Sequence, residues 1–145
     1  MSQSIRNVDP EGARALLEEG WTYVDVRTPE EFEAGHVPGA LNVPWAFQGA
    51  GGMRANPEFL EVMRAAFGRE EHLLLGCRSG VRSRHAAEAL VQVGFTNLAE
   101  LVTGYEGKRD AFGRLLPGWA PSGLPTESGT PSGAGYSSVR ERQPR

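Results

Sequence analysis

Short apolar runs alternate along this chain with segments that carry helix-start signals, and this alternation constrains the fold more than any other feature. Three sites place a capping side chain before a proline, which is favoured at the first helical position: Asp9-Pro10, Thr28-Pro29 and Asn56-Pro57. The apolar runs predict strands at residues 23–26, 41–43, 73–75 and 97–101. Strands that alternate with helices indicate an α/β domain with a mainly parallel, roughly five-stranded sheet and helices on both faces.

Helix-start signals and glycine stops together place four helices between these strands. We predict helices over about 10–19, 29–35, 57–67 and 83–93. The glycine-rich stretch over residues 48–52 is predicted to be a mobile loop.

The C-terminal end differs in composition from the rest of the chain. Between residues 126 and 145, eleven residues are Gly, Ser, Thr or Pro, and few are apolar. Such a stretch buries too little surface to offset its ordering entropy. We therefore predict one domain over residues 1–125 and a flexible tail over residues 126–145.

Charge and hydropathy exclude several classes of protein. The net charge of −3 argues against nucleic-acid binding. No stretch approaches the roughly 20 apolar residues of a membrane span, and the N-terminus has no apolar signal core. A single cysteine has no partner for an internal disulfide or a CxxC metal site. We therefore expect a reducing, cytoplasmic setting, with neither nucleic acid nor a membrane as partner.

The only cysteine follows the apolar run at residues 73–75 and leads into a short polar loop. Cys77 stands at the carboxyl end of a predicted strand, where sites form in parallel sheets. It also faces the start of a predicted helix, whose unpaired N–H groups and partial positive charge favour a thiolate. We interpret Cys77 as a nucleophile, the alternative being a buried and inert thiol.

The loop after Cys77 has the composition of an anion cradle. A glycine permits a tight turn, two serine hydroxyls can donate hydrogen bonds, and two arginines add positive charge. If the loop curls around the sulfur, its successive N–H groups point inward. The residues predicted to bind an anionic substrate are Arg78, Ser79, Gly80, Val81, Arg82 and Ser83.

Four segments resemble, in sequence and in their order along the chain, those of one known family. They are residues 23–27, residues 29–32, residues 35–44, which begin with Gly-His-Val-Pro-Gly-Ala, and residues 77–83, which read Cys-x-x-Gly-x-Arg-Ser. Together they resemble the rhodanese family of sulfurtransferases, and the resemblance extends from about Val8 to Pro125. Rhodaneses usually run a Gly-Gly pair directly into a closing Gly-aromatic helix. Here about ten residues separate Gly107 from Gly118, which indicates an insertion beside the site.

The resemblance implies a rhodanese-like fold and a sulfurtransferase that requires no metal or organic cofactor. In that chemistry the cysteine attacks the outer sulfur of thiosulfate, sulfite departs, and a persulfide remains until cyanide or a thiol removes its outer sulfur. The implied partners are a small-molecule sulfur donor and acceptor. Mercaptopyruvate and a protein persulfide remain open as donors. Arg82, together with Arg78, would orient the anionic donor.

Three residues outside the loop are also candidates for a role at the site. Asp25 and Arg27 match the family's Asp-x-Arg pattern at the end of the first predicted strand. We assign them a supporting role as an ion pair that shapes the pocket rim, the alternative for Asp25 being a bond to loop amides. We interpret His36 as a hydrogen-bonded histidine that fixes a turn rather than as a catalytic base.

Two other functions remain open at the level of sequence. Cell-cycle phosphatases and some arsenate reductases resemble rhodaneses in fold, but place five residues between cysteine and arginine. Here four residues separate Cys77 from Arg82, and the shorter loop fits a sulfur atom better than a phosphoryl group. A non-catalytic rhodanese-like binding module is the second alternative. Such modules often lack the cysteine that this chain retains.

Overall fold

The computed structural model describes residues 5–142, which form a parallel sheet between two layers of helices. In chain order the elements are β1 (Ile5–Val8), α1 (Pro10–Glu18), β2 (Thr22–Asp25), α2 (Pro29–Ala34), β3 (Leu41–Asn42), β4 (Ala46–Gly49), β5 (Gly52–Ala55), α3 (Phe59–Ala66), β6 (Leu73–Gly76), α4 (Val81–Gln92), β7 (Leu98–Leu101), β8 (Gly107–Arg109), β9 (Leu115–Pro117) and α5 (Tyr136–Val139). The five-stranded sheet has the order β1-β7-β6-β2-β3, and all of its pairs are parallel. The predicted fold class is therefore confirmed.

The two faces of the sheet bury alternate side chains of the same strands. In β6, Leu73 and Leu75 pack with α3, α4 and α5, whereas Leu74 packs with α1 and α2. All three leucines are fully buried, and each contributes about 2 kcal/mol to the free energy of unfolding. Burial on both faces explains why this strand is an uninterrupted apolar run.

Side-chain caps start two helices where the sequence predicts them. Asp9 accepts a hydrogen bond from the Gly12 amide at 2.9 Å, and Thr28 forms a reciprocal capping box with Glu31. The third helix instead begins at Phe59, two residues later than predicted. The Asn56 side chain accepts a 3.0 Å hydrogen bond from the Glu58 amide in the turn before α3, and its nitrogen donates to the carbonyl of Pro44 and to the hydroxyl of Tyr136.

Two short hairpins were not predicted from the sequence. The stretch over 48–52, predicted to be a mobile loop, contains the paired ends of the antiparallel strands β4 and β5 and the turn that joins them. The insertion between Gly107 and Gly118 forms a second hairpin from β8 and β9. Its tip carries Phe112, whose side chain is 84% exposed.

The C-terminal segment packs onto the domain, which differs from the flexible tail predicted over residues 126–145. Glu127 pairs with His36 through two backbone hydrogen bonds of 2.8 and 2.9 Å. Helix α5 then buries Tyr136 and Val139 against the core. Composition alone predicted a flexible tail because it does not show that the few apolar residues of this segment are spaced so that they pack together against the core. Residues 143–145 lie outside the described part of the chain.

Candidate functional site

The sulfur of Cys77 lies at the N-terminus of α4 and accepts two backbone hydrogen bonds. The donors are the amides of Gly80, at 3.1 Å from Sγ, and Ser83, at 3.3 Å. The Sγ atom also lies 3.4 Å from the Ser83 hydroxyl oxygen. Because donors and the helix terminus converge on one atom, the site favours negative charge on this sulfur.

Glycine at position 80 is required by the backbone of this loop. Gly80 precedes α4 with a φ of 104°, in the left-handed region. A β-carbon there would also collide with the carbonyl of Val102. Helix α4 begins at Val81, directly after this glycine and two residues earlier than predicted.

The segment after β7 holds the other side of the loop. The amide of Tyr105 donates to the carbonyl of Cys77 at 2.7 Å, and the amide of Glu106 donates to that of Arg78 at 2.9 Å. Gly107 adds a longer bond to the Arg78 carbonyl at 3.3 Å. The base of the β8–β9 hairpin is therefore hydrogen-bonded directly to the loop that surrounds the sulfur.

Both loop arginines are paired with glutamates. Arg82 forms a two-pronged pair with Glu31 of α2, at 2.8 and 3.1 Å. Arg78 is 62% exposed and pairs with Glu106 at 2.8 Å. Burial alone would raise the pKa of Glu31, but hydrogen bonds from Arg82 and Thr28 outweigh it and lower this pKa to about 2.

Arg82 interacts electrostatically with the sulfur of Cys77. Burial works against its charge, but the hydrogen bond and charge of Glu31 and the charge of the Cys77 sulfur together raise the pKa of Arg82. Its side chain is 17% exposed. The guanidinium is therefore a permanent positive charge at the edge of the site, partly neutralised by one carboxylate.

Asp25 and Arg27 form a buried ion pair at the carboxyl end of β2. The guanidinium of Arg27 contacts both carboxylate oxygens of Asp25, at 2.6 to 3.1 Å. It also donates to the carbonyl of Gly35 at 2.7 Å and lies over the ring of Tyr105. The Asp25 carboxylate accepts from the amide of Arg27 rather than from an amide of the loop. The pair thus fixes the walls beside the site.

Glu100 is a site residue that the sequence analysis missed. It lies on β7, is 2% exposed, and accepts a 2.7 Å hydrogen bond from the Ser83 hydroxyl. Burial raises its pKa, and the bond from Ser83 opposes this only in part. The available signal was a single acidic residue in the otherwise apolar strand Leu98–Leu101.

His36 and Trp119 have structural roles. His36 is fully buried, contacts the carbonyl of Phe32 at 2.7 Å, and lies 3.0 Å from the carboxylate of Glu127. It therefore fixes the turn, as the sequence analysis favoured. Trp119 is buried in the core and donates to the carbonyl of Pro125.

The remaining loop residues differ in exposure. Ser79 is partly buried, and Val81 on the first turn of α4 is 61% exposed. Within residues 5–142, no three His, Cys, Asp or Glu side chains come together as a metal site requires. In the same range, no helix has the length and apolar character needed to span a membrane.

Comparison with known proteins identifies the family to which this arrangement corresponds. A family model described as the rhodanese-like domain matches residues 9–111. Thiosulfate sulfurtransferase 16, chloroplastic, from Arabidopsis thaliana is 44% identical over 116 residues, which cover 80% of this chain and 88% of that protein. Thiosulfate sulfurtransferase GlpE from Pseudomonas aeruginosa (strain LESB58) is 30% identical over 112 residues, 77% of this chain and 91% of that protein.

Solved structures show the same fold. The crystal structure of Rv0390 from M. tuberculosis superposes with a TM-score of 0.70 at 31% identity, covering 85% of this chain and 97% of that one. Some relatives are longer than this chain, which spans between 51% and 66% of four other plant proteins that it matches.

Proposed function

We propose, from the premise that this chain belongs to the rhodanese-like domain family, that it is a sulfurtransferase which carries sulfur as a persulfide on Cys77. The observation that carries the proposal is the convergence of the Gly80 and Ser83 amides on Sγ, at 3.1 and 3.3 Å. These donors would stabilise a thiolate before the reaction and the charge of the persulfide after it. The relatives named thiosulfate sulfurtransferase support thiosulfate as a donor.

The first half-reaction loads the sulfur. The Cys77 thiolate attacks the outer sulfur of thiosulfate, a new S–S bond forms, and sulfite leaves with the electron pair of the broken bond. Arg82 would attract the anionic donor and the departing sulfite. Cys77 is only 1% exposed, so the donor would have to reach it past the loop that carries Arg78, Ser79 and Val81.

The second half-reaction removes the outer sulfur from Cys77. Cyanide or a thiol attacks the outer sulfur of the persulfide, and the Cys77 thiolate leaves to the same two amides that held it before. A protein persulfide in place of thiosulfate would react in the same way. We extend the proposal to a reducing, cytoplasmic location, which cell fractionation with an antibody tests.

Mass spectrometry of the intact protein tests the covalent step. Incubation with thiosulfate should add about 32 Da, one sulfur atom, and cyanide should remove it with formation of thiocyanate. Cys77→Ala should show neither effect. Cys77→Ser is the matched control, because it keeps a small polar side chain without the thiol.

A parallel aryl-phosphate assay separates the alternatives. Phosphate hydrolysis that requires Cys77, without any gain of sulfur, would favour the phosphatase. Absence of both activities, with cysteine or glutathione persulfide also tried as donors, would favour a binding module.

A further inference from the structure

A continuous line of hydrogen bonds connects the Cys77 sulfur to a carboxylate inside the protein. The Ser83 hydroxyl lies 3.4 Å from Sγ and donates to Glu100 at 2.7 Å. Ser83 is fully buried and Glu100 nearly so, at 2% exposure. In this arrangement the hydroxyl oxygen can accept the thiol proton while its own proton already points toward the carboxylate.

We propose that Ser83 and Glu100 form a proton path that takes the thiol proton of Cys77 into the protein, a role that rests on the proposed sulfur transfer. The S–H bond of Cys77 breaks and its proton binds the Ser83 oxygen. The original Ser83 proton moves to Oε2 of Glu100. One negative charge thus moves from the carboxylate to the sulfur, without oxidation or reduction. Glu100 is a positioning residue, because it acts through Ser83.

The buried setting makes this exchange favourable compared with release of the proton to water. The net charge of the three groups is the same before and after, so no additional buried charge is created. After the exchange, the Ser83 hydroxyl donates to the thiolate and the protonated Glu100 donates to Ser83. The thiolate then has three donors, since the amides of Gly80 and Ser83 are already aimed at it.

The charged groups around Glu100 come from two packed elements. Arg84 and Glu88 of α4 and Lys108 of β8 act on it with opposing signs, and burial raises its pKa above the usual range of a glutamate. A carboxylate with a raised pKa is a better proton acceptor for a thiol. In the sheet, its register neighbour on β1 is the uncharged Asn7.

A purely electrostatic role for Glu100 predicts a different pH profile of Cys77 reactivity. A fixed negative charge near the sulfur disfavours the thiolate equally at every pH, so the reactivity would still fall about tenfold per pH unit below the midpoint of the thiol titration. As a proton acceptor, Glu100 shares one proton with Cys77, so the thiolate fraction stays constant over the pH range in which the pair holds that single proton. Glu100→Gln distinguishes the two, because glutamine keeps the shape and an oxygen for Ser83 but does not accept a proton.

The experiment measures the rate of Cys77 alkylation by iodoacetamide against pH, which requires no sulfur donor. Around pH 6 the wild-type rate should change little with pH, whereas the rate of Glu100→Gln should fall about tenfold for each pH unit. Ser83→Ala should also lose the pH-independent region, and the double variant should show the same slope as either single one. Glu61→Gln, which removes an exposed negative charge on α3, should retain the wild-type profile.

Three results would overturn the inference: a wild-type rate that falls about tenfold per pH unit around pH 6, a pH-independent region that persists in Glu100→Gln, or one that persists in Ser83→Ala. Circular dichroism of each variant shows whether it is folded. If Glu100→Gln is unfolded, Ser83→Ala gives the same comparison without removal of a buried charge. If the wild type accepts no sulfur but the alkylation profiles shift as expected, the proposed function fails and the proton path stands.

Discussion

The ion pair between Arg82 and Glu31 provides a test of stability and of donor binding in one substitution, Glu31→Gln. A carboxyl whose pKa falls from 4.5 to about 2 on folding would add about 3 kcal/mol to the free energy of unfolding. The two side chains remain 17% and 29% exposed, so solvent screening reduces this to about 1–2 kcal/mol. Glutamine keeps an oxygen for the Thr28 amide, which limits the loss to the charge interaction.

The pH dependence has a defined sign. The folded-state pKa of Glu31 lies below its ordinary value, so its contribution is complete above about pH 4.5 and is lost as the pH falls toward 2. Urea denaturation should therefore show the variant less stable by about 1–2 kcal/mol at neutral pH, with the gap closing in acid. Glu30→Gln on the same turn of α2 is the matched control, because Glu30 is exposed and its loss should change stability little.

The same substitution should improve thiosulfate binding. With Glu31 neutral, Arg82 keeps its full positive charge at the rim, and the KM for thiosulfate should fall by about threefold. Equal unfolding free energies of variant and wild type at neutral pH would refute the stability reasoning. A KM that rises would show that Glu31 positions Arg82 for the donor instead of neutralising it.

Three further substitutions test other parts of the structure. Gly80→Ala should cost at least about 1 kcal/mol, because φ is 104° and a β-carbon meets a backbone carbonyl; mass spectrometry should show slower sulfur loading, and unchanged loading would contradict the amide geometry. Tyr136→Phe should lower stability in urea by about 1 kcal/mol by removing the bond from Asn56, whereas a mobile tail predicts no change. Arg27→Lys should cost about 3 kcal/mol, because an ammonium does not reproduce the fork on Asp25; a wild-type urea midpoint would refute this.

Features that depend on neighbours in sequence could be predicted. The caps at Asp9 and Thr28 form because the acceptor and donor lie three residues apart. The position of Cys77 at the end of a buried strand follows from the uninterrupted apolar run that precedes it. The parallel sheet follows from the alternation of strands and helices, since parallel strands require long crossovers.

Features that depend on distant partners could not. The sequence identifies Glu31 as part of a capping box, but its ion-pair partner Arg82 is 51 residues away and is not predicted by local sequence. In the sequence, Glu100 is only an acidic residue within an apolar strand. Its hydrogen bond with Ser83 forms because the fold brings β7 and α4 together. The packing of α5 depends on Tyr136 meeting Asn56 across 80 residues, which no local composition reveals.

The β8–β9 hairpin separates a fixed base from a free end. Its base is tied to the carbonyls of Cys77 and Arg78, whereas its tip closes on itself, with Asp110 accepting from the amides of Phe112 and Arg114. Exposed tips of this kind tolerate added sequence well. A short epitope inserted at the tip would therefore leave the bonds to the loop around the sulfur intact.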